Sequence, residues 1–317
     1  MYLGVDLGGI NIAIGLVDDN FHIVHKESVP TGRLRPFEEI MKDMANLCRK
    51  VTEDAGYQMS DISSIGIGTP GTPDVVEKKV IYANNLVHFV DVNLEKELQK
   101  YFPNMPVYVE NDANAAAYGE ILAGAAKEFS TAVVVTLGTG VGGGVIIDNK
   151  IYAGFNHAGS EVGHMVIVKD GEPCSCGRRG CFEVYASATA LIRETAEMIE
   201  KYPDSIIHDM IENNPETING KTAFDAARQG DEAGCEIVRQ YVEYLGCGIS
   251  NLINVFQPEA IVIGGGVSKE GENLLVPLRE YVKKNSYTRG VPESKIITAK
   301  LGNDAGIIGA AMLWKQV

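Results

Sequence analysis

The sequence has no apolar run long enough to cross a bilayer, and its first residues lack the basic and apolar regions of a secretory signal peptide. Only six of its 317 residues are cysteine, and three of those crowd into one loop. Such uneven spacing is not that of a disulfide framework and suits a reducing compartment. We therefore expect a cytoplasmic protein with no membrane partner.

Basic residues are also scarce, since 28 Lys and Arg stand against 42 Asp and Glu, for a net charge of −14. An acidic surface repels a phosphate backbone, so we expect no nucleic-acid partner. A small anionic ligand would have to be bound locally, by backbone amides, a metal or helix N-termini. The P-loop pattern is absent, and no linker is rich in Pro or Ser.

The sequence does contain an internal repeat. From Tyr2 onward it predicts a strand, a glycine turn, a second strand, an Asp/Asn turn and a third strand, and the same order restarts at Thr131. The length alone favours two domains. The repeat therefore predicts two similar α/β domains that face each other across a cleft.

Hydrophobic periodicity predicts the remaining elements. We predict strands over residues 64–68, 107–110 and 261–263, helices over 37–55, 92–101, 112–126 and 305–315, and largely helical regions over 187–212 and 222–255.

Glycine turns occupy corresponding positions in the two halves of the repeat, at Gly8-Gly9 and at Gly138-Thr139-Gly140. Without a Cβ in the way, successive N–H groups can form an anion-binding nest. Asp6, at the end of the first predicted strand, offers the hard oxygen ligands that suit Mg²⁺. Taken alone, Gly8-Gly9 is more often a hairpin turn that binds nothing, and its paired occurrence strengthens the interpretation as a phosphate site.

Two further glycine patterns need separate interpretations. The spacing from Gly138 to Gly143 fits a dinucleotide-binding motif, but that motif requires a helix next, and here a strand and a turn are predicted. We therefore exclude a Rossmann domain. Gly264-Gly265-Gly266 follows a predicted strand, where glycines would allow a flat ring such as adenine to approach, or would form a strand-to-helix turn without a ligand.

An acidic group lies at a predicted strand-to-helix junction, in Glu110-Asn111-Asp112. Asn or Asp there can simply cap the helix. The functional alternative is that Asp112 accepts the proton of an attacking hydroxyl, since phosphoryl transfer needs a positioned base.

A metal site is predicted by the spacing H-x9-C-x-C-x4-C, and its ligands are His164, Cys174, Cys176 and Cys181. Three thiolates and one imidazole form a closed tetrahedral set for Zn²⁺, which makes the metal structural. The alternative is a loop of unrelated thiols. Glu161 and Glu183 flank the loop and could bind vicinal hydroxyls, or could be solvated surface charges.

Together these segments resemble the ROK family (repressors, open reading frames, kinases), and most closely its bacterial glucokinases. The resemblance covers essentially the whole chain, and the cysteine loop is specific to the family. The segments that carry it are Gly4-Val5-Asp6-Leu7-Gly8-Gly9, Glu110-Asn111-Asp112-Ala113-Asn114-Ala115, Leu137-Gly138-Thr139-Gly140-Val141-Gly142-Gly143-Gly144, Glu161-Val162-Gly163-His164, Cys174-Ser175-Cys176-Gly177-Arg178-Arg179-Gly180-Cys181 and Ile263-Gly264-Gly265-Gly266.

The resemblance implies an actin-like ATPase (ribonuclease H-like) duplicated fold and a homodimeric enzyme of carbohydrate metabolism, at the entry to glycolysis. We expect a small domain from residues 1–116 with a returning helix at 305–317. A larger domain, from 117–304, would contain the zinc loop and a helical dimerisation region.

The implied reaction is ATP-dependent phosphorylation of the 6-hydroxyl of glucose, with Asp112 as general base and with Mg²⁺ and structural Zn²⁺. The implied sugar ligands are Gly71, Asn85, Asn111, Asp112, Glu161, His164 and Glu183. The implied nucleotide ligands are Asp6, Gly8, Gly9, Ile10, Asn11, Thr139, Gly140, Gly264, Gly265 and Gly266. His164 would serve both zinc and sugar, with one ring nitrogen for each.

One residue departs from the family pattern, because Ile10 stands where relatives usually have Thr. Ile cannot donate a hydrogen bond to a phosphate oxygen, so the backbone amides of the turn must bind it alone. His88-Phe89 also differs from the usual Gly-Trp stretch of relatives.

Other functions stay open at this point. Glucose, mannose, fructose, allose and N-acetylmannosamine differ by one group, and the stretch 223–231 resembles glucokinases. A sugar-sensing transcriptional regulator of the same family would carry an N-terminal DNA-binding module, and we expect none here. An actin- or chaperone-like ATPase would hydrolyse ATP without sugar, but the zinc loop argues against it.

Overall fold

The computed structural model describes residues 1–83, 85–288 and 290–316. Asn84, which the resemblance places in a sugar-binding loop, lies outside the described residues. The strands, in chain order, are β1 (Tyr2–Leu7), β2 (Asn11–Val17), β3 (Ile23–Pro30), β4 (Ser64–Thr69), β5 (Thr72–Asp74), β6 (Lys79–Tyr82), β7 (Val90–Asn93), β8 (Val107–Asn111), β9 (Ala132–Leu137), β10 (Val141–Ile147), β11 (Lys150–Ile151), β12 (Ala260–Gly264) and β13 (Lys295–Thr298). The helices are α1 (Phe37–Asp54), α2 (Leu94–Gln99), α3 (Asp112–Leu122), α4 (Glu183–Ala186), α5 (Ala188–Ile199), α6 (Ile207–Met210), α7 (Thr222–Arg228), α8 (Glu232–Phe256), α9 (Glu272–Asn285) and α10 (Asp304–Ala311).

The chain forms two compact units. The first comprises Met1–Ala132, Gly144–Ser160 and Lys300–Val317, and the second comprises Val133–Gly143 and Glu161–Ala299. The division that we predict, after residues 116 and 304, differs from these ranges and stays a prediction.

Two five-stranded sheets share one strand order. The first is β3-β2-β1-β4-β8 and the second is β11-β10-β9-β12-β13. In the first, β1 and β2 are antiparallel, as are β2 and β3, whereas β4 runs parallel to both β1 and β8. In the second, β10 and β11 are antiparallel and β12 and β13 parallel. The internal repeat predicted from the sequence is thereby confirmed.

Helix α1 covers part of the first sheet, and its periodicity explains why. Ile40, Met44, Leu47 and Val51 recur at helical spacing, and all are buried in the core of the first unit. Glu38 and Glu39 occupy the first turn, where the helix dipole favours negative charge.

Helix α10 packs backbone to backbone against its neighbours. A Cβ on Gly4 of β1 would overlap the carbonyl oxygen of Ile307, and a Cβ on Gly66 of β4 would overlap that of Ala310. From the helix side, a Cβ on Gly309 would overlap the carbonyl oxygen of Ala115 in α3. Glycine is therefore required at these contacts, because any side chain would separate α10 from both strands and from α3.

A buried carboxylate holds the segment that leads into α10. Glu120, near the end of α3, is almost wholly buried, and it accepts N–H groups from Ala125 at 2.7 Å, Lys300 at 3.0 Å and Leu301 at 2.8 Å. These bonds satisfy a charge that would otherwise be costly to bury.

Some elements differ from prediction. The predicted helix over 92–101 is wrong at its start, because Val92 and Asn93 belong to β7 and the Asn93 side chain caps α2 by accepting the Lys96 N–H at 2.8 Å. The sequence did not predict the small sheet β5-β6-β7, nor α9 and β13. Pro277 lies inside α9, and an internal proline is a signal against a helix.

No helix among the described residues has both the length and the hydropathy that a membrane span requires.

We predict that Gly66→Ala destabilises the protein by about 3 kcal/mol, because the added methyl group forces α10 away from β4. Urea unfolding would measure the change. Gly220→Ala is the matched control, since a Cβ there meets only Ala188 at an ordinary 3.7 Å, and it should shift stability by less than about 0.5 kcal/mol. Equal stability of the two variants would contradict the close packing.

Candidate active site

Two partly buried carboxylates lie close together in the first unit. Asp6 is near the end of β1, and Asp112 is the first residue of α3, directly after β8. Burial, together with the charge of Asp112, raises the pKa of Asp6 to about 6. Burial also raises the pKa of Asp112. Neighbouring carboxylates that repel each other form a ready site for a divalent cation such as Mg²⁺.

The structure assigns the capping role at this junction to Asn111. Its Oδ1 accepts the N–H groups of Ala113 at 2.9 Å and Asn114 at 3.2 Å, which is the geometry of an N-cap. Its Nδ2 donates to the carbonyl oxygen of Gly71 at 3.1 Å. Asp112 accepts only the adjacent Ala113 N–H, at 2.8 Å, among the hydrogen bonds of the described residues. Asn111 is therefore the N-cap of α3, and Asp112 does not have that role.

Glu110 stabilises the junction between β8 and α3 through hydrogen bonds. Its Oε1 accepts the Asn111 N–H at 2.8 Å and the Asn114 Nδ2 at 3.0 Å. Burial raises the pKa of Glu110. Its hydrogen bonds orient the first turn of α3 and hence the backbone that carries Asp112.

The two sugar loops predicted from the resemblance contact two different turns of the first unit. Gly71 has a φ of +83°, and a Cβ there would overlap the carbonyl oxygen of Tyr82, so glycine is required. Asn85 packs against the glycine turn, since a Cβ on Gly9 would lie 3.2 Å from the Asn85 Cβ. Gly71 therefore contacts the residue before Asp112, and Asn85 contacts the glycine turn that follows the strand of Asp6.

The first glycine turn, Gly8 to Asn11, joins β1 to β2 and closes with a bond from the Gly8 N–H to the Asn11 carbonyl at 2.9 Å. The Ile10 side chain is 81% exposed. Ile10 therefore contributes a backbone amide to this turn and no side-chain donor.

Two contacts of this region are not foreseen from the sequence. Gly306 of α10 lies against Asp6, because a Cβ there would be 3.0 Å from the Asp6 Oδ2. Thr31, after β3, donates its hydroxyl to the Gly8 carbonyl at 2.7 Å. Neither has a local sequence signal, since each residue is far along the chain from its partner.

The second glycine turn, Gly138 to Gly140, has a corresponding closure in the second unit. The Gly138 N–H donates to the Gly140 carbonyl at 3.0 Å, and the Thr189 hydroxyl donates to the Thr139 carbonyl at 2.8 Å. The Glu183 Oε2 accepts the Val141 N–H at 3.2 Å. A Cβ on Gly140 would overlap that carboxylate, so Glu183 lies directly against the turn.

The four predicted metal ligands converge in the second unit, with all four donor atoms within 4.8 Å of one another. The Cys176 and Cys181 sulfurs are 3.6 Å apart, and His164 Nδ1 is 3.7 Å from the Cys174 sulfur. Tetrahedral zinc with Zn–S of about 2.3 Å places its sulfurs about 3.8 Å apart. The donor set and its spacing therefore fit Zn²⁺.

The surroundings of the sulfurs differ from one another. The Arg178 backbone N–H and side chain lower the pKa of the Cys176 thiol to about 6, whereas burial raises the pKa of Cys181 to about 12. Gly177 and Gly180 have φ of +84° and +77°, which are the turns that bring the sulfurs together.

The carboxylates that flank the metal loop have different surroundings. Glu161 is exposed and precedes the short turn that carries His164. The Glu183 Oε1 is 3.6 Å from the Cys174 sulfur. Because Nδ1 of His164 faces the thiols, its Nε2 is the ring nitrogen left for another ligand.

The third glycine segment begins at the end of β12. Gly265 has a φ of +82°, and a Cβ there would overlap the carbonyl of Leu137. A Cβ on Gly266 would meet nothing within 4 Å. The backbone is therefore open to a ligand at Gly266 and tightly packed at Gly265.

A second group of potential metal ligands, His25, Glu27 and Asp54, is already neutralised. The Lys50 ammonium lies 3.0 Å from Glu27 and 2.7 Å from Asp54. We therefore interpret this group as a surface ion-pair network.

Comparison with known proteins gives one family over the whole chain. A sequence model described as the ROK family matches residues 2–317. The chain is 37% identical to the glucokinase of Thermotoga maritima, over 99% of this chain and 97% of that protein. It is also 32% identical to a xylose repressor of Caldicellulosiruptor bescii, over 97% of this chain and 76% of the repressor.

Among solved structures, the chain is similar to a ROK family glucokinase from Streptomyces griseus in complex with glucose and AMPPNP. The TM-score is 0.82 at 35% identity, over 100% of this chain and 99% of the other. This similarity confirms the predicted fold.

We predict that Asp6→Asn stabilises the ligand-free protein at pH 8 by about 3 kcal/mol. The pKa of Asp6 rises from 3.8 to about 6 on folding, so at pH 8 the charged carboxylate destabilises the folded state, and the neutral amide removes that cost. The stability associated with protonated Asp6 is complete below pH 4 and is lost as pH rises through 6. The gain from the variant should therefore shrink between pH 8 and pH 5, as urea unfolding without Mg²⁺ or nucleotide would show.

The exposed Asp209 provides the control, because Asp209→Asn should leave stability nearly unchanged at both pH values. Destabilisation by Asp6→Asn at pH 8 would contradict the raised pKa of Asp6.

Proposed function

Because this chain belongs to the ROK family, we propose that it is an ATP-dependent hexokinase that converts glucose and ATP to glucose 6-phosphate and ADP. The observation that carries the proposal is the match to glucokinases along nearly their full length, one of them in complex with glucose and an ATP analogue. The repressor is matched at lower identity and over less of its length, which favours an enzyme over a regulator.

Asp112 acts as the general base in this proposal. Its carboxylate accepts the proton of the glucose 6-hydroxyl while the oxygen attacks the γ-phosphorus of ATP and the bond to ADP breaks. Burial raises the pKa of Asp112 towards the working pH, and a base is most effective there. The capping of α3 by Asn111 supports this role, because it leaves Asp112 to the substrate.

The remaining sugar hydroxyls are assigned to the other predicted ligands. Gly71, Asn85 and Asn111 would bind them from the first unit, and Glu161, His164 and Glu183 from the second. His164 would offer Nε2 to the sugar, since its Nδ1 faces the cysteines.

The nucleotide is assigned to the glycine turns. Backbone amides between Gly8 and Asn11 and at Thr139-Gly140 would bind its phosphates, and Gly264-Gly265-Gly266 would lie against adenine. Asp6 would hold Mg²⁺, which supplies charge neutralisation at the phosphates when it is bound.

Zinc is assigned to His164 and the three cysteines as a structural ion. The ion would fix the loop between Glu161 and Glu183, and so position both carboxylates for the sugar. We further propose a homodimer, as the resemblance implies, and a cytoplasmic location, which the uneven spacing of the six cysteines supports.

We propose glucose, in preference to other hexoses, because of the resemblance alone. The stretch that looks like glucokinases lies in and after α7, where Ala223 and Phe224 are buried and Phe224 packs edge-on against Tyr241. Ala223 and Phe224 are core residues, so their likeness to glucokinases carries no information about the sugar pocket.

The proposal predicts ADP release from ATP and Mg²⁺ only when a hexose is present, with glucose the best in a panel that includes mannose, fructose, allose and N-acetylmannosamine. Asp112→Asn should lower kcat by about 10³ and leave the Kd for glucose within about threefold, because only proton transfer is lost.

Asp91→Asn, at a surface ion pair, is the matched control and should behave as wild type. ATP hydrolysis that ignores sugar would refute the hexokinase proposal, and unchanged turnover by Asp112→Asn would refute the base alone.

We predict one zinc per chain by elemental analysis, lost in Cys181→Ser together with glucose binding, because the loop carrying His164 and Glu183 is no longer fixed. Cys235→Ser, at a cysteine outside the group, should keep zinc and affinity. Full glucose affinity in a zinc-free Cys181→Ser protein would contradict the assignment.

A further inference from the structure

The first glycine turn presents two unused amides. Within residues 1–83, 85–288 and 290–316, no acceptor is found for the N–H groups of Gly9 and Ile10. The Ile10 residue is exposed, and Gly9 is partly exposed. Free consecutive amides in a turn are the usual form of a backbone anion site. Because Ile10 has no hydroxyl, the affinity of this turn for phosphate depends on the direction of these amides.

Thr31 bonds to both ends of this turn. It is wholly buried just after β3, and its hydroxyl donates to the Gly8 carbonyl at 2.7 Å. Its own N–H donates to the Ile10 carbonyl at 2.8 Å. One residue therefore fixes two carbonyl groups of the turn.

Because the peptide group is planar, a hydrogen bond that fixes a carbonyl also fixes the direction of the N–H group in the same peptide. In a trans peptide the C=O and the following N–H point in opposite directions, and the structure has no cis peptide among its described residues. Fixing the Gly8 carbonyl therefore aims the Gly9 N–H away from Thr31. The Ile10 N–H belongs to the peptide between the two fixed ones, so its direction is restricted from both sides.

We propose that Thr31 is a positioning residue for phosphate binding, which holds the Gly9 and Ile10 amides in the direction that the terminal phosphates of ATP require. The inference rests on the proposed kinase function. The second unit supports it independently, because the Thr189 hydroxyl donates to the Thr139 carbonyl and the Ala188 N–H donates to the Gly138 carbonyl, each at 2.8 Å.

The test compares Thr31→Val with Thr31→Ser and with Thr52→Val. Valine keeps the shape and the backbone N–H but removes the hydroxyl, whereas serine restores it. Thr52 is the matched control, since it is also wholly buried in the first unit and its hydroxyl donates to a carbonyl, that of Cys48, at 2.8 Å.

Thr31→Val should raise the KM for ATP about tenfold with the KM for glucose unchanged within about twofold, and Thr31→Ser should recover most of the loss. Thr52→Val should lose similar stability and keep the wild-type KM for ATP. An unchanged KM for ATP in Thr31→Val, or an equal rise in Thr52→Val, would overturn the inference.

Binding of a fluorescent ATP analogue separates this inference from the proposed function, because it needs no turnover. If wild type phosphorylates no hexose, the function fails, while tenfold weaker analogue binding by Thr31→Val still supports the role of Thr31. Should the valine variant not fold, Thr31→Ala against Thr52→Ala gives the same comparison, with the same two outcomes.

Discussion

The close approach of α10 to β1, β4 and α3 is the constraint on which the first unit depends. Helices usually pack with side chains between them, at axial distances of about 8–10 Å. Here glycines at Gly4, Gly66 and Gly309 bring backbones into direct contact. Strand β1 carries Asp6 and α3 begins at Asp112, so this contact fixes the distance between the two carboxylates. The same helix brings Gly306 against Asp6.

Glycine turns raise a problem that the structure solves in the same way twice. A turn rich in glycine approaches a phosphate easily, but it loses more conformational entropy on ordering than any other turn. A hydroxyl from outside the turn, that of Thr31 in the first unit and of Thr189 in the second, accounts for part of that ordering. The duplicated fold thus preserves a hydrogen-bonding device as well as a strand order.

Elements with strong periodicity and features that are local in sequence could be predicted. The strands β1 to β3, helix α1 and the convergence of His164 with the cysteines follow from patterns within short windows. Helix α2 starts later than predicted because Asn93 caps it, and β5 to β7 are too short to show alternation.

Long-range contacts could not be predicted for a different reason. The bond from Thr31 to Gly8 and the contact of Gly306 with Asp6 depend on how elements pack. A Thr or a Gly at these positions does not by itself predict either contact. Similarly, the sequence leaves Asn111 and Asp112 as equal candidates for the helix cap. Only the hydrogen bonds of Asn111 decide between them.

The division of the first unit along the chain affects its synthesis. Its opening residues emerge first, yet Lys300–Val317 are part of the same unit and include α10. Domains generally fold as they leave the ribosome, but this one must wait for its final segment. Until Lys300–Val317 have been synthesised, the glycine-lined surfaces of β1 and β4 stay uncovered. The unit should therefore complete its fold only after α10 has left the ribosome, and loss of that segment should prevent the unit from folding.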